Sequence, residues 1–118
     1  MTPPLLIRPA SPSDYAAWRP LWDGYNAFYG RVGPTALPDD ITQATWSRFF
    51  NPIEPVFALV AVQEGQLVGL THYLFHRSTT RIEPVCYLQD LFTLPAARGQ
   101  GVGRALIQGV DEQAARAG

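Results

Sequence analysis

An α/β (α+β) fold, with a mixed central sheet flanked by helices in the order β-α-α-β-β-β-α, is the architecture this sequence predicts. Three observations carry it. Apolar residues recur at helical spacing in three places: Tyr15, Trp18, Leu21, Trp22 and Tyr25; Ile41, Thr45, Trp46 and Phe49; Val102, Leu106, Val110 and Ala114. Between the second and third of these lie strand-like runs rich in β-branched and aromatic residues, separated by turn residues. A glycine-rich joint, Arg98-Gly99-Gln100-Gly101-Val102-Gly103, links the last of those runs to the last helix. A chain of 118 residues has room for one such domain, taken as 1–118, and for a real core.

The elements follow in order. Leu5-Leu6-Ile7-Arg8-Pro9 reads as a short strand closed by proline. Ser11-Pro12-Ser13-Asp14 is a helix start, with Ser11 as cap, Pro12 in the first turn and Asp14 at the positive end of the helix dipole. Pro20 removes one hydrogen bond from that helix and is expected to kink or split it. Gly30 to Pro34 forms a loop, and a second helix is predicted from Asp39 to Phe50, stopped by Asn51-Pro52 and burying Ile41, Thr45, Trp46 and Phe49. Val56–Val62 and Gln66–Phe75 form a hairpin about Glu64-Gly65. Arg77–Arg81 is a loop, and Val85–Thr93 is a strand with imperfect alternation. The final helix runs to the C-terminus, where Gly118 suits the position just past a helix end.

Composition narrows the classes of function. With 47% hydrophobic and 16% charged residues the chain is globular rather than disordered. A formal net charge of −1 advertises neither nucleic acid nor an anionic membrane surface. Cys86 is the one cysteine, so no intrachain disulfide framework exists, and it is expected to be a small core residue rather than a nucleophile. The start, Met1-Thr2-Pro3-Pro4 and then Leu5-Leu6-Ile7, is neither a signal peptide nor a spanning segment, so the expectation is a soluble, cytoplasmic protein. His72 and His76 lack the companion ligands a metal requires, so no metal is expected. His72 should line its strand and His76 should lie near the surface. Glu54 and Glu83 read as solvated side chains. Trp18, Trp22, Tyr25 and Phe28 are mostly core, although Tyr25, Tyr29 and the loop after them could wall a substrate pocket.

The stretch from Leu88 to Leu106 carries the chemistry. The first turn of a helix presents N–H groups without internal partners, at the positive end of its dipole. Glycines at 99, 101 and 103 let the backbone approach a bulky anion, and Arg98 and Arg104 add positive charge. A pyrophosphate is a natural ligand for such a segment. A dinucleotide fingerprint would need a different glycine spacing after an early strand and an acidic residue further on; a P-loop would need Gly-Lys-Ser or Gly-Lys-Thr. Neither is present.

What the segment resembles is the acetyl-CoA loop of the GNAT N-acetyltransferase superfamily, Arg/Gln-x-x-Gly-x-Gly/Ala. The preceding strand Tyr87–Thr93, the following Arg104-Ala105-Leu106, and the opening Ile7-Arg8-Pro9-Ala10 with Asp14 are similar to that family as well. The resemblance implies that the backbone of Arg98, Gly99, Gln100, Gly101, Val102, Gly103 and Arg104 holds the pyrophosphate of acetyl-CoA. It also implies that the pantetheine arm pairs with Leu91, Phe92 and Thr93, near a bulge or splay that frees an N–H for the thioester carbonyl. A primary amine of a small molecule then attacks directly in a ternary complex, and a base or water chain takes its proton. The pattern is closest to the polyamine and thialysine type, whose Leu-Glu-Asp here reads Leu88-Gln89-Asp90. Asp90 is either the acidic catalytic group or a buried partner of the backbone or an arginine, because successive strand residues face opposite sides.

The same resemblance implies a further strand, helix and hairpin after this last helix. The chain ends at Gly118, so either it is truncated or partner chains supply the remainder. The edge of the Val85–Thr93 strand is then expected to be covered in a homodimer or otherwise. The isolated chain is expected to turn over weakly, and the alternative function is a non-catalytic coenzyme A-binding or oligomerisation module.

Overall fold

The computed structural model describes residues 3–117; Met1, Thr2 and Gly118, including the helix-end position expected of Gly118, lie outside the described residues. The chain forms β1 (Leu5–Pro9), α1 (Tyr15–Phe28), α2 (Asp39–Arg48), β2 (Val56–Gln63), β3 (Gln66–His76), β4 (Val85–Thr93) and α3 (Val102–Ala117), with short 3₁₀ turns at Pro12–Asp14, Gly33–Thr35 and Pro95–Ala97. The strands lie in the order β1-β2-β3-β4, and every pairing is antiparallel. The short connections β2–β3 and β3–β4 deliver antiparallel neighbours, whereas β1 is joined to β2 through α1 and α2 and returns to pair with it antiparallel as well.

Both faces of the sheet are covered. On one face α3 places Val102, Leu106 and Val110 against Leu59, Ala61, Val68 and Tyr73. On the other, α1 and α2 place Trp18, Leu21, Trp22, Tyr25 and Trp46 against Leu70. The central strands are therefore buried through both pleats, as the run from Val68 to Tyr73 shows. Full burial of a side chain such as Leu106 contributes about 2 kcal/mol. The helix–sheet spacing depends on missing side chains. A Cβ on Gly69 would lie 2.9 Å from Val102 Cγ1 and 3.1 Å from the Phe92 carbonyl oxygen, and one on Gly24 would lie 2.8 Å from the Phe92 ring.

Three local expectations change. Pro20 does not split α1, which runs unbroken from Tyr15 to Phe28. Pro20 and Ala16 are both exposed, so the carbonyl that loses its partner faces solvent. The buried face of α2 is Thr42 and Trp46, with Ile41 exposed, because the Trp22 indole N–H donates to Thr42 Oγ1 at 3.2 Å and draws that side inward. At the start of α1, Ser11 does not cap through its hydroxyl. The Asp14 carboxylate instead reaches back to the Ser11 N–H (2.7 Å) and takes two hydrogen bonds from the Arg8 guanidinium (2.7 and 3.0 Å). Among the described residues no helix is long and apolar enough to cross a membrane.

The Arg8 guanidinium, and then the Ser11 N–H, hold the Asp14 carboxyl down at about 2, against the pull of burial in the opposite direction. A depressed carboxylate stabilises the fold above its unfolded pKa, and that contribution disappears as pH falls through the folded value. Asp14→Asn should therefore cost about 1–2 kcal/mol in urea unfolding at pH 7, since the half-exposed Arg8 end is partly screened. The difference from wild type should shrink between about pH 4 and pH 2. A pH-independent difference would contradict this.

Candidate functional site

The site begins with an irregularity in β4. Asp90 lies opposite His72, but Leu88 lies opposite Tyr73, so Gln89 is an extra residue, a β-bulge. The bulge explains the imperfect alternation of this strand. Leu88 and Leu91, three apart, both pack in the α3-side core, while Phe92 packs in the α1-side core. It also corrects the expectation that Gln89 and Asp90 face opposite sides, since both line the same cleft on the α1 side. The buried Thr71 hydroxyl donates to the Asp90 carbonyl oxygen at 2.8 Å and holds the bulge to β3.

Beyond the bulge, Leu91, Phe92 and Thr93 form the end of the sheet's edge strand. They line a cleft of about 340 Å³ together with Arg98, Gly99 and Gly101 from the loop, Val102 and Gly103 from the start of α3, Tyr25 and Phe28 from α1, and Tyr29 just past its end. Gly99 and Gly101 have φ of 82° and 80°, which an L side chain adopts only under strain. No atom lies within 4 Å of a Cβ built on Gly99, Gly101 or Gly103, so the absent side chains leave open space beside the backbone. The first helical hydrogen bond of α3 runs from the Ala105 N–H to the Gly101 carbonyl, leaving the N–H groups of Val102, Gly103 and Arg104 ahead of it. The Arg98 Nε–H donates to the Thr93 carbonyl at 3.3 Å, and its guanidinium lies 5.9 Å from the Phe92 ring centre. A backbone cradle at a helix N-terminus, flanked by a cation, fits a pyrophosphate.

A second cleft, about 580 Å³, opens on the α1 side of the bulge. Trp22, Tyr25, Phe49 and His72 line it, with Gln89 and Asp90 from β4 and Arg31 and Arg48 from the helical side. Its chemistry is set by one hydrogen-bonded chain. The Trp18 indole N–H donates to His72 Nε2 at 3.1 Å, and His72 Nδ1 lies 2.9 Å from Asp90 Oδ2. An indole N–H can only donate, so Nε2 must accept, which places the ring proton on Nδ1, where it is given to the Asp90 carboxylate. Tyr25 separates the two clefts and lines both. Burial, and then the Asp90 carboxylate beside its hydroxyl, raise the pKa of the Tyr25 phenol, so it stays protonated.

Of the residues singled out from sequence, Leu91, Phe92, Thr93, Arg98, Gly99, Gly101, Val102 and Gly103 lie together in the loop cleft. The Gln100 and Arg104 side chains do not line it; Gln100 Oε1 instead accepts from Gln63 Nε2 at 3.2 Å. Tyr29, just past the end of α1, lines the loop cleft and not the second cleft. Asp90 lies in the second cleft, and its side-chain partner is His72 rather than the backbone or an arginine. Cys86 packs half-buried against the α3-side core, and burial pushes its thiol pKa up. Sequence reasoning missed His72 as the partner of Asp90, and Arg31 and Arg48 as lining residues. Only knowledge of the β3–β4 register, including its bulge, would have paired residues 72 and 90.

Comparison with known proteins bears on the family and the fold. The model of the Acetyltransferase (GNAT) family matches residues 18–118. The D-amino-acid N-acetyltransferase of Saccharomyces cerevisiae is 32% identical over 112 residues, covering 93% of this chain and 67% of that protein. An aminoglycoside N(6')-acetyltransferase of Stenotrophomonas maltophilia is 30% identical over 107 residues, covering 88% of this chain and 63% of that one. Among solved structures, an aminoglycoside N-acetyltransferase in complex with coenzyme A superposes with a TM-score of 0.80 at 21% identity, covering all of this chain and 74% of that one.

The hydrogen-bonded chain makes a spectroscopic prediction. Nitrogen-15 NMR should find the His72 proton on Nδ1 in the wild type and, because the Asp90 carboxylate still accepts there, in Trp18→Phe as well; only Trp18→Phe combined with Asp90→Ala should release the ring to a mixture of tautomers. A wild-type ring protonated on Nε2 alone would contradict the assignment.

Proposed function

The chain belongs to the acetyltransferase (GNAT) family and is an acetyl-CoA-dependent N-acetyltransferase; on that premise we propose that it acetylates a primary amine of a small molecule by direct attack within a ternary complex. The observation that carries the proposal is the pair of clefts sharing Tyr25 as a wall, one at the α3 N-terminus and the other holding the Asp90 carboxylate. The backbone N–H groups of the 98–104 loop and of the first turn of α3 receive the pyrophosphate, and Arg98 adds a charge-assisted contact. The outer edge of Leu91–Thr93 offers backbone groups to the pantetheine amides, as one strand does to another. The bulge lies just before that segment, where the strand bends and a β4 N–H can turn toward the thioester oxygen.

The acceptor enters from the second cleft. Its nitrogen lone pair attacks the acetyl carbon, the C–N bond forms, and the C–S bond breaks with its electrons leaving on sulfur. Asp90, oriented by His72, takes the proton the amine nitrogen must lose, and solvent protonates the thiolate. Gln89, also in this cleft, has no proton-accepting carboxylate, which leaves Asp90 as the one acidic side chain lining the cleft among the described residues. Relatives that act on D-amino acids and aminoglycosides support a small-molecule acceptor.

Calorimetric titration with acetyl-CoA and release of free thiol in the presence of an amine panel test the proposal together. Gly101→Ala sets a side chain in the cradle at a φ of 80°, and Arg98→Ala removes the flanking cation. Each should weaken acetyl-CoA binding by about tenfold or more, equivalent to about 1.4 kcal/mol. Undiminished binding by both variants would sink the loop assignment. Binding without thiol release for any amine would favour the non-catalytic coenzyme A-binding module instead.

A further inference from the structure

Resting on the reading just given, we propose that the acceptor carries a carboxylate as well as an amine, in the manner of an amino-acid zwitterion, and that Arg31 and Arg48 form its carboxylate subsite. The second cleft holds opposite charges at separate places, with Asp90 on the sheet and the two arginines on the helical side. Among the described residues neither arginine is in an ion pair, whereas Arg8 is paired with Asp14, and Arg19 with Asp23 and Asp39. Two uncompensated cations lining one cleft with a single carboxylate leave it short of negative charge. An anionic group on the ligand supplies it.

Arg31 is held in place for such a role. Gly30 has a φ of 81° and ends α1 with the Gly30 N–H on the Ala27 carbonyl (3.0 Å) and the Arg31 N–H on the Asn26 carbonyl (2.8 Å). The Arg31 side chain is fixed as well. Its Nε–H donates to Asn26 Oδ1 at 2.7 Å, and its guanidinium carbon lies 5.8 and 5.5 Å from the Tyr25 and Tyr29 ring centres. Asn26 is buried, and its Nδ2 donates to the Trp22 carbonyl at 2.9 Å, so the group that orients the guanidinium is itself anchored. With Nε engaged, the two terminal nitrogens form the fork that matches a carboxylate end-on. Arg48, exposed in the last turn of α2, lines the same cleft.

The geometry also selects against rivals. An acceptor with several ammonium groups would meet two cations and one carboxylate, with neutral Gln89 where a second acid could have stood. Trp22, Ile41 and Phe49 offer apolar surface to a side chain of the ligand. The chemistry favoured is an α-amino acid with an apolar or aromatic side chain.

The probes are D- and L-phenylalanine and their alcohols, D- and L-phenylalaninol, which keep the amine and ring and lack the carboxylate. Calorimetry in the presence of coenzyme A should show wild type binding one phenylalanine enantiomer about tenfold or more tightly than its alcohol. Arg31→Gln should bring the two within about threefold, and Arg31→Lys should restore part of the preference. Arg48→Gln, a substitution at an exposed helix end, should reduce the preference even if the Arg31 variants fold poorly. Equal binding of acid and alcohol by wild type, no measurable binding of either, tighter binding of spermidine, or a preference that survives both Gln substitutions would overturn the subsite. Thiol release is read separately: a carboxylate preference without acetyl transfer would count against the proposed reaction and leave the subsite standing.

Discussion

The hydrogen-bonded chain from Trp18 through His72 to Asp90 is the interaction on which the rest of the site depends. It crosses from α1 to β3 to β4, and each member is buried or nearly so. Because the indole can only donate, it fixes the imidazole tautomer, and the tautomer in turn aims a proton at the carboxylate. A carboxylate this enclosed is tolerated only with such a partner, since an unpaired buried charge costs several kcal/mol. The chain therefore locks the register of α1 on the sheet and presents Asp90 to the second cleft.

The bulge at Gln89 follows from the same demand. Without an extra residue, period-2 alternation could not send both Leu88 and Leu91 toward α3 while Asp90 meets His72 and Phe92 meets α1. Two cores of opposite location thus dictate one local irregularity, and the Thr71 hydroxyl holds it. On the far side of the bulge the requirements change from packing to backbone exposure. Glycines at 99 and 101 adopt left-handed φ, Gly69 lets the start of α3 press against the sheet, and the free N–H groups of that helix face the loop cleft. Tyr25 is the point at which these two regions meet.

Much of this was legible in the sequence. All seven main elements lie where spacing and turn residues put them, and the loop of residues 98–103 lies at the start of α3 with Gly99 and Gly101 in left-handed φ beside Arg98. What was not legible depends on long-range register. A single inserted residue looks the same as weak alternation in Val85–Thr93, so neither the bulge nor the His72–Asp90 pairing could be read. Ile41 looked as suitable for burial as Thr42, until Trp22 supplied Thr42 with a hydrogen bond. Pro20 looked like a break because its carbonyl partner's exposure to solvent is a tertiary fact. Arg31 read as a loop residue because its role needs the anchoring of Asn26, which depends on how α1 ends.

The most direct measurement is the acetylation rate of Asp90→Asn beside wild type at saturating acetyl-CoA and amine, with acetyl-CoA affinity measured on the same preparations. Asparagine keeps the size of the side chain and can still accept from His72 but cannot take the amine's proton. The account predicts a fall in kcat of about 100-fold or more with acetyl-CoA affinity unchanged. A variant that turns over at the wild-type rate would show that the proton leaves by another route, and the chain from Trp18 to Asp90 would then be structural alone.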